Sequence, residues 1–167
     1  MRSSVALPLH DRTGTAAPLR GVYLHPGQLH VTAEPTVVTT ILGSCVAVCL
    51  FDPITGIGGI NHYLLPTGVK TAATGMRYGN VAIEYLLEKL ANAGAQRGQL
   101  RAKLFGGACV LDAMRGKGNH LGAKNVDIAW RAMGDAGIPV LASDVGGARG
   151  RKLIFQTNDG SAQVKLL

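Results

Sequence analysis

The fold is decided by two apolar segments joined by a turn, TTILGSCVAVCLF (39–51), DPITG (52–56) and INHYLLP (60–66). Residues 46–51 are apolar at every position, which predicts a strand that is buried on both faces. Proline fixes φ and glycine accepts a positive φ, so 52–56 has the composition of a turn. Together the segments predict a β-hairpin.

A cysteine and a histidine lie near the open end of this hairpin. With the turn centred on Ile54, Cys45 faces position 63, and a shift of one residue places it directly opposite His62. Directly opposed residues share a face of the sheet, with Cβ atoms about 4.5–5.5 Å apart. A thiol and an imidazole so placed can act as nucleophile and base. The residues alone leave the alternative open that Cys45 is an inert buried thiol and His62 a structural strand residue.

Composition narrows the class of protein. The 167 residues, 47% hydrophobic and 16% charged, fit one compact domain. No apolar run is long enough for a transmembrane helix. Three cysteines without metal-ligand spacing argue against a disulfide framework and a zinc site, and favour a reducing cytoplasm. The net charge of +7 is dispersed and accompanied by no nucleic-acid-binding motif, so it favours an acidic protein partner.

The chain order predicts an α+β fold. Residues 1–20 carry arginines and prolines without an apolar core, which predicts a flexible leader before a single domain at 21–167. Helix signals place one helix after Asn80, ending near Gly94, and a second at about 126–136, capped by Asn125. The second helix is expected to bury the stripe Val126, Ala129, Trp130 and Met133. Strands are predicted near 22–24, 29–31, 37–38, 102–105, 139–142, 153–155 and 163–166. Strands outnumber helices, and hairpins outnumber βαβ units.

Five blocks of sequence resemble the CheD family of chemoreceptor glutamine deamidases. They are LGSCVAV (42–48) with the histidine of NHYLLP (61–66), RYG (77–79), KLFGGA (103–108), and DVGG (144–147) followed by GR (150–151). The resemblance covers about residues 21–166. It implies a layered β/β/α sandwich of mostly antiparallel strands with two main helices on one side, similar to the catalytic domain of deamidating toxins. One departure is Lys124, where the family tends to carry arginine in a Gly-x-Arg-Asn run.

The resemblance also implies a catalytic triad and a reaction. The family's cysteine maps to Cys45, its histidine to His62, and its threonine, six positions before the cysteine, to Thr39, with Thr40 the neighbouring alternative. The implied enzyme is a protein-glutamine glutaminase that releases ammonia through a cysteine thioester, with backbone amides near Gly43 and Ser44 holding the oxyanion. No metal or organic cofactor is implied.

The implied substrates are methyl-accepting chemotaxis receptors at the cytoplasmic side of the membrane. A CheC-type phosphatase is a further implied partner where it exists, whereas nucleic acid and membrane insertion are not implied. Two other functions use the same residues. One is a chemotaxis adaptor that binds a receptor or phosphatase without turnover, and the other is a receptor methylesterase, which needs the same acyl-transfer machinery.

Overall fold

The computed structural model describes residues 18–167, and within them nine strands and two α-helices form three layers. The elements are β1 Arg20–Tyr23, β2 Leu29–Thr32, β3 Thr36–Leu42, β4 Val46–Phe51, β5 Gly58–Asn61, α1 Gly79–Asn92, β6 Arg101–Gly106, α2 Leu121–Ala136, β7 Val140–Val145, β8 Arg151–Gln156 and β9 Ala162–Leu166. The predicted leader falls mostly on residues 1–17, which lie outside the described residues. Within the described part of the chain, no helix has the length and apolar character needed to cross a membrane.

The strands form two sheets. The front sheet has the order β1-β3-β8-β9, and the central sheet has the order β2-β5-β4-β6-β7. The pairs β1–β3 and β6–β7 are parallel, and the others are antiparallel. Strand β4 lies in the middle of the central sheet, which explains why every one of its residues is buried.

Side chains of β4 alternate between two cores. Ala47, Cys49 and Phe51 pack against the front sheet in an inter-sheet core that also holds Leu153 and Phe155. Val46, Val48 and Leu50 pack on the other face, in a second core with the buried faces of α1 and α2. The predicted α+β class and β/β/α layering are therefore confirmed. The likeness to deamidating toxins stays a prediction.

The hairpin is present, but its register differs from the predicted one. Its turn closes between Asp52 and Ile57, where the Asp52 amide donates to the Ile57 carbonyl at 2.8 Å. The Asp52 carboxylate accepts from the Ile54 and Thr55 amides inside the turn, at 2.8 and 3.2 Å. Four residues therefore form the loop, so that Val46 pairs with Tyr63. The prediction that Cys45 lies directly opposite His62 was therefore wrong.

The second helix begins earlier than predicted. Its N-cap is His120, whose Nδ1 accepts from the Ala123 amide at 3.1 Å. Histidine is not among the favoured capping residues, and glycine at 122 is a poor helix former, so the first turn carried no sequence signal. Asn125 consequently lies inside α2 and is not its cap. Trp130 is 44% exposed, so its place in the buried stripe was wrong.

Candidate active site

Cys45 lies at the corner where the chain passes from the front sheet to the central sheet. Its side chain is half-buried and packs against the inter-sheet core. Two hydrogen bonds hold the corner, from the Gly107 amide to the Cys45 carbonyl and from the Ala108 amide to the Gly43 carbonyl, both at 2.8 Å. Gly106 has a φ of 109°, and a Cβ there would stand 2.1 Å from the Cys45 carbonyl oxygen. Glycine at 106 is therefore what allows this close approach.

His62 lies between the end of β5 and Tyr63, whose backbone pairs with Val46 of β4. The Asn61 side chain accepts the Val48 amide at 2.9 Å, taking the place of a backbone carbonyl in the ladder. The His62 backbone pairs instead with the segment before β2, donating to the Gln28 carbonyl at 3.0 Å and accepting from the Gly27 amide at 2.8 Å. These bonds fix the backbone on both sides of the imidazole.

The His62 side chain faces the inter-sheet core and is 1% exposed. Ala47 is its expected opposite on β4 in the observed register, which makes Cys45 its diagonal neighbour on the same face. Diagonal neighbours are about 7–8 Å apart, still within reach of a ring side chain. The structure therefore places Cys45 and His62 on the same face of the central sheet, as diagonal and not as directly opposed neighbours.

Thr40 connects the front sheet to the imidazole. Its Oγ1 lies 2.8 Å from His62 Nδ1 and 2.8 Å from the Leu24 carbonyl oxygen. A carbonyl can only accept, so the single hydroxyl hydrogen points to Leu24, and Oγ1 must accept a hydrogen from His62 Nδ1. Neutral His62 therefore carries its proton on Nδ1. Its Nε2 is an unprotonated base, buried and without a hydrogen-bond partner among residues 18–167.

The structure does not bring Thr39 to the site. Successive side chains of a strand point to opposite faces. On β3 the buried positions are 36, 38, 40 and 42, which face the inter-sheet core, while Thr39 is half-buried on the outer face. The threonine that contacts His62 is thus corrected from Thr39 to its neighbour Thr40, because the strand's alternation, not the distance from the cysteine, decides which one points inward.

Both groups of the Cys45–His62 pair favour their neutral forms. Burial raises the pKa of the Cys45 thiol, and its own backbone amide offsets part of that rise. Burial lowers the pKa of His62 to about 4, with a smaller contribution from His25. At neutral pH the resting pair is therefore a thiol and a neutral imidazole. Cys49 is a contrasting case, since it is fully buried and burial raises its pKa well above the ordinary value.

Asn125 is a site residue that the sequence analysis missed. Its Nδ2 donates to the Ser44 carbonyl and to the Leu64 carbonyl, each at 2.9 Å. The Tyr63 hydroxyl in turn donates to the Asn125 carbonyl. The one signal in the sequence is the place of Asn125 at the end of the Gly-x-Arg-Asn-like run. That place predicts a helix cap and not a contact with the site.

Two concave surfaces flank the site. A small apolar cavity of about 180 Å³ borders Ser44 and is lined by Cys109, Leu111, Met114 and Leu121. A larger groove of about 610 Å³ lies against β2 and the segment before it, whose Gly27 and Gln28 bond to the His62 backbone. Residues 71–77, Gln28 and Lys89 line that groove. No group of three or more potential metal ligands occurs among the residues that the structure describes.

The fold and the site define a class of protein, a layered β/β/α sandwich with a cysteine and a base-form histidine on its inter-sheet face. Residues 64–166 match the family model described as CheD chemotactic sensory transduction. The chain is 56% identical over 146 residues to a protein of Anaeromyxobacter dehalogenans named "Probable chemoreceptor glutamine deamidase CheD 1", covering 87% of this chain and 84% of that one. This chain belongs to the CheD family.

A second relative agrees with this membership. A Sulfurimonas denitrificans protein named "Probable chemoreceptor glutamine deamidase CheD" is 43% identical over 86% of this chain and 92% of its own length. Among solved structures, the Bacillus licheniformis hypothetical protein YfiH covers 72% of this chain and 51% of its own, at 16% identity and a TM-score of 0.44. That structural similarity is too slight to inform the site.

Proposed function

We propose that this chain is a protein-glutamine glutaminase that converts glutamine side chains of methyl-accepting chemotaxis receptors to glutamate. The observation that carries the proposal is the fixed tautomer of His62, which leaves an unprotonated Nε2 on the face that Cys45 shares. The substrate class comes from family membership and from the names of the relatives. A chemistry that moves a proton off a thiol needs such a base.

In the proposed first step, His62 Nε2 takes the proton of the Cys45 thiol while the sulfur attacks the glutamine carboxamide carbon. Because both groups are neutral at rest, proton transfer accompanies the attack. The tetrahedral intermediate collapses when the C–N bond breaks, and the proton on Nε2 leaves with the nitrogen as ammonia. A thioester between Cys45 and the substrate remains.

In the proposed second step, ammonia has left and a water molecule hydrolyses the thioester. His62 Nε2 takes a proton from the water as its oxygen attacks the thioester carbon. The C–S bond then breaks, the proton returns to the sulfur, and the product is a glutamate side chain. Thr40 holds the Nδ1 hydrogen throughout, which keeps Nε2 in the base form at the start of each step. Amides at the corner, including those of Gly43 and Ser44, are the proposed donors to the oxyanion in both steps.

The proposed place of action is the cytoplasmic helical part of the receptor. The net charge of +7 supports association with an acidic protein surface. A CheC-type phosphatase is a further proposed partner. We propose no cofactor, since the steps above use only side chains, backbone amides and water.

The test is intact-mass analysis of a receptor fragment incubated with the protein, together with an ammonia assay. Deamidation replaces an amide NH₂ with OH and gives a small mass gain with release of ammonia. Cys45→Ala should abolish both, while the matched variant Cys49→Ala, which removes the other thiol of the same strand region, should retain both. Each variant is first checked for native circular dichroism.

Other outcomes separate the competing functions. Loss of mass with release of methanol would identify a receptor methylesterase. Binding of the fragment without any mass change, unaffected by Cys45→Ala, would identify a non-catalytic adaptor. Ammonia release by Cys45→Ala would remove the assignment of the nucleophile.

A further inference from the structure

One side-chain amide ties together the two chain segments that carry the reacting groups. Asn125 is fully buried on α2, and its Nδ2 uses both of its hydrogens, one on the Ser44 carbonyl and one on the Leu64 carbonyl. The Ser44 carbonyl belongs to the peptide unit that precedes the Cys45 Cα. The Leu64 carbonyl lies two residues after His62.

The first of these bonds fixes the direction of the Cys45 amide. All described peptide bonds are trans, so the N–H of a peptide unit points opposite to its carbonyl. Because the Ser44 carbonyl points to Asn125, the Cys45 N–H points away from that part of α2. No backbone carbonyl within residues 18–167 accepts a hydrogen bond from this N–H.

This amide is also close to the nucleophile. The interaction of the Cys45 N–H with its own sulfur partly offsets the effect of burial on the pKa of the thiol. A backbone donor that is not used by any carbonyl and lies beside the attacking sulfur has the placement that an oxyanion donor needs.

We infer that Asn125 is a positioning residue for the reaction, which holds the Ser44–Cys45 peptide so that its N–H faces the oxyanion formed at Cys45. The inference rests on the proposed function and deepens it. Asn125 does not touch the substrate in this arrangement. It acts through the peptide unit, and through Leu64 it sets that unit relative to the strand segment that carries His62.

The chemistry of the side chain supports a specific role. Two carbonyl acceptors require two hydrogens from one short side chain, which asparagine supplies. Aspartate of the same shape would set a carboxylate against two carbonyl oxygens. The Asn125 Oδ1 is buried and has no partner in the described part of the chain. Burying an amide oxygen without a partner is unfavourable, so an apolar residue would suit a purely packing role better.

The experiment compares two reactions of the same cysteine. Alkylation of Cys45 by iodoacetamide needs the thiolate but forms no oxyanion, whereas deamidation of a receptor fragment needs both. Asn125→Leu keeps the size of the side chain and removes both donors. Asn125→Ala, which leaves room for water, serves as a second variant if Asn125→Leu does not fold.

The matched control is Met133→Ala. Met133 lies two turns further along the buried face of α2 and packs in the core between the helices and the central sheet. Loss of one oxyanion donor typically lowers kcat by about 10²–10³-fold. Loss of the Asn125 side chain that holds this donor in place is expected to lower kcat by at least about tenfold. In the Asn125 variants we expect this fall in kcat with KM unchanged and with the alkylation rate lowered much less than kcat. In Met133→Ala we expect an unchanged kcat.

Three results would overturn the inference. The first is an unchanged kcat in the Asn125 variants. The second is a parallel fall of kcat and alkylation, which would indicate that Asn125 only keeps the corner folded. A wild-type chain that is alkylated at Cys45 but releases no ammonia would overturn the proposed function itself, and the inference with it. The wild-type reaction therefore separates the two failures.

Discussion

Burial of His62 in its neutral form makes the stability of the fold depend on pH. The imidazole is 1% exposed, and its pKa falls from 6.5 to about 4 on folding. Between these two values the unfolded chain binds a proton that the native state does not bind. The free energy of unfolding therefore rises with pH across this window and falls as the solution is acidified through it.

The magnitude follows from the size of the shift. The two pKa values of His62 differ by about 2.5, which corresponds to roughly 3.5 kcal/mol when the full difference contributes. Between about pH 7.5 and about pH 4.5 most of this, roughly 2.5 kcal/mol, should be lost. In urea the midpoint would move by about 1–2 M, since small domains have slopes of about 1–3 kcal/mol per M.

The assay is urea unfolding at both pH values for the wild-type chain and for His62→Gln. All the other histidines are present in both proteins, so the difference between the two stability curves isolates position 62. We expect His62→Gln to be less sensitive to acid by roughly 2–3 kcal/mol. Parallel curves for the two proteins would refute the reasoning, because they would mean that His62 protonates equally easily in the folded and unfolded states.

Two further substitutions test other contacts of the site and its surroundings. Thr40→Val removes the acceptor that holds the Nδ1 hydrogen of His62. Because one hydrogen bond is worth about 1 kcal/mol, we expect kcat to fall about fivefold, measured by ammonia release. Thr39→Val is its matched control, and an equal loss in both would contradict the assignment of Thr40. Asp144→Asn removes the counter-charge of Arg151, which is 2% exposed, and should lower the free energy of unfolding in urea by about 2 kcal/mol or more. Adding Arg151→Met should restore part of that loss, and a double variant less stable than Asp144→Asn would argue against a buried-charge cost.

The layers of the fold could be predicted because they follow from simple periodicity. The all-apolar run 46–51 could only be a strand covered on both sides, and the structure covers it with a second sheet and with helices. The register of the hairpin could not be predicted in the same way. It depends on whether three or four residues form the loop, and the Asp52 carboxylate stabilises the longer one through two amides of the turn.

The residues of the candidate site could be proposed from the chemistry of their side chains, but the directions of those side chains could not be predicted. Cys45 and His62 could be singled out as a thiol and an imidazole near one hairpin end. Choosing between Thr39 and Thr40 required the alternation of β3 relative to the other sheet, which counting along the chain does not provide. Asn125 was recognised as a polar residue near a helix start, but its two carbonyl acceptors are 81 and 61 residues away in sequence.

The bond between Thr40 and His62 joins two sheets that share no strand. It therefore exists only while the layers are docked at their native separation. A compact state that retained both sheets but had loosened the packing between them would keep its far-ultraviolet circular dichroism and lose the fixed tautomer of the imidazole. Enzymatic activity would therefore depend on the packing between the two sheets. In a mild denaturant the activity should be lost at a lower concentration than the secondary structure.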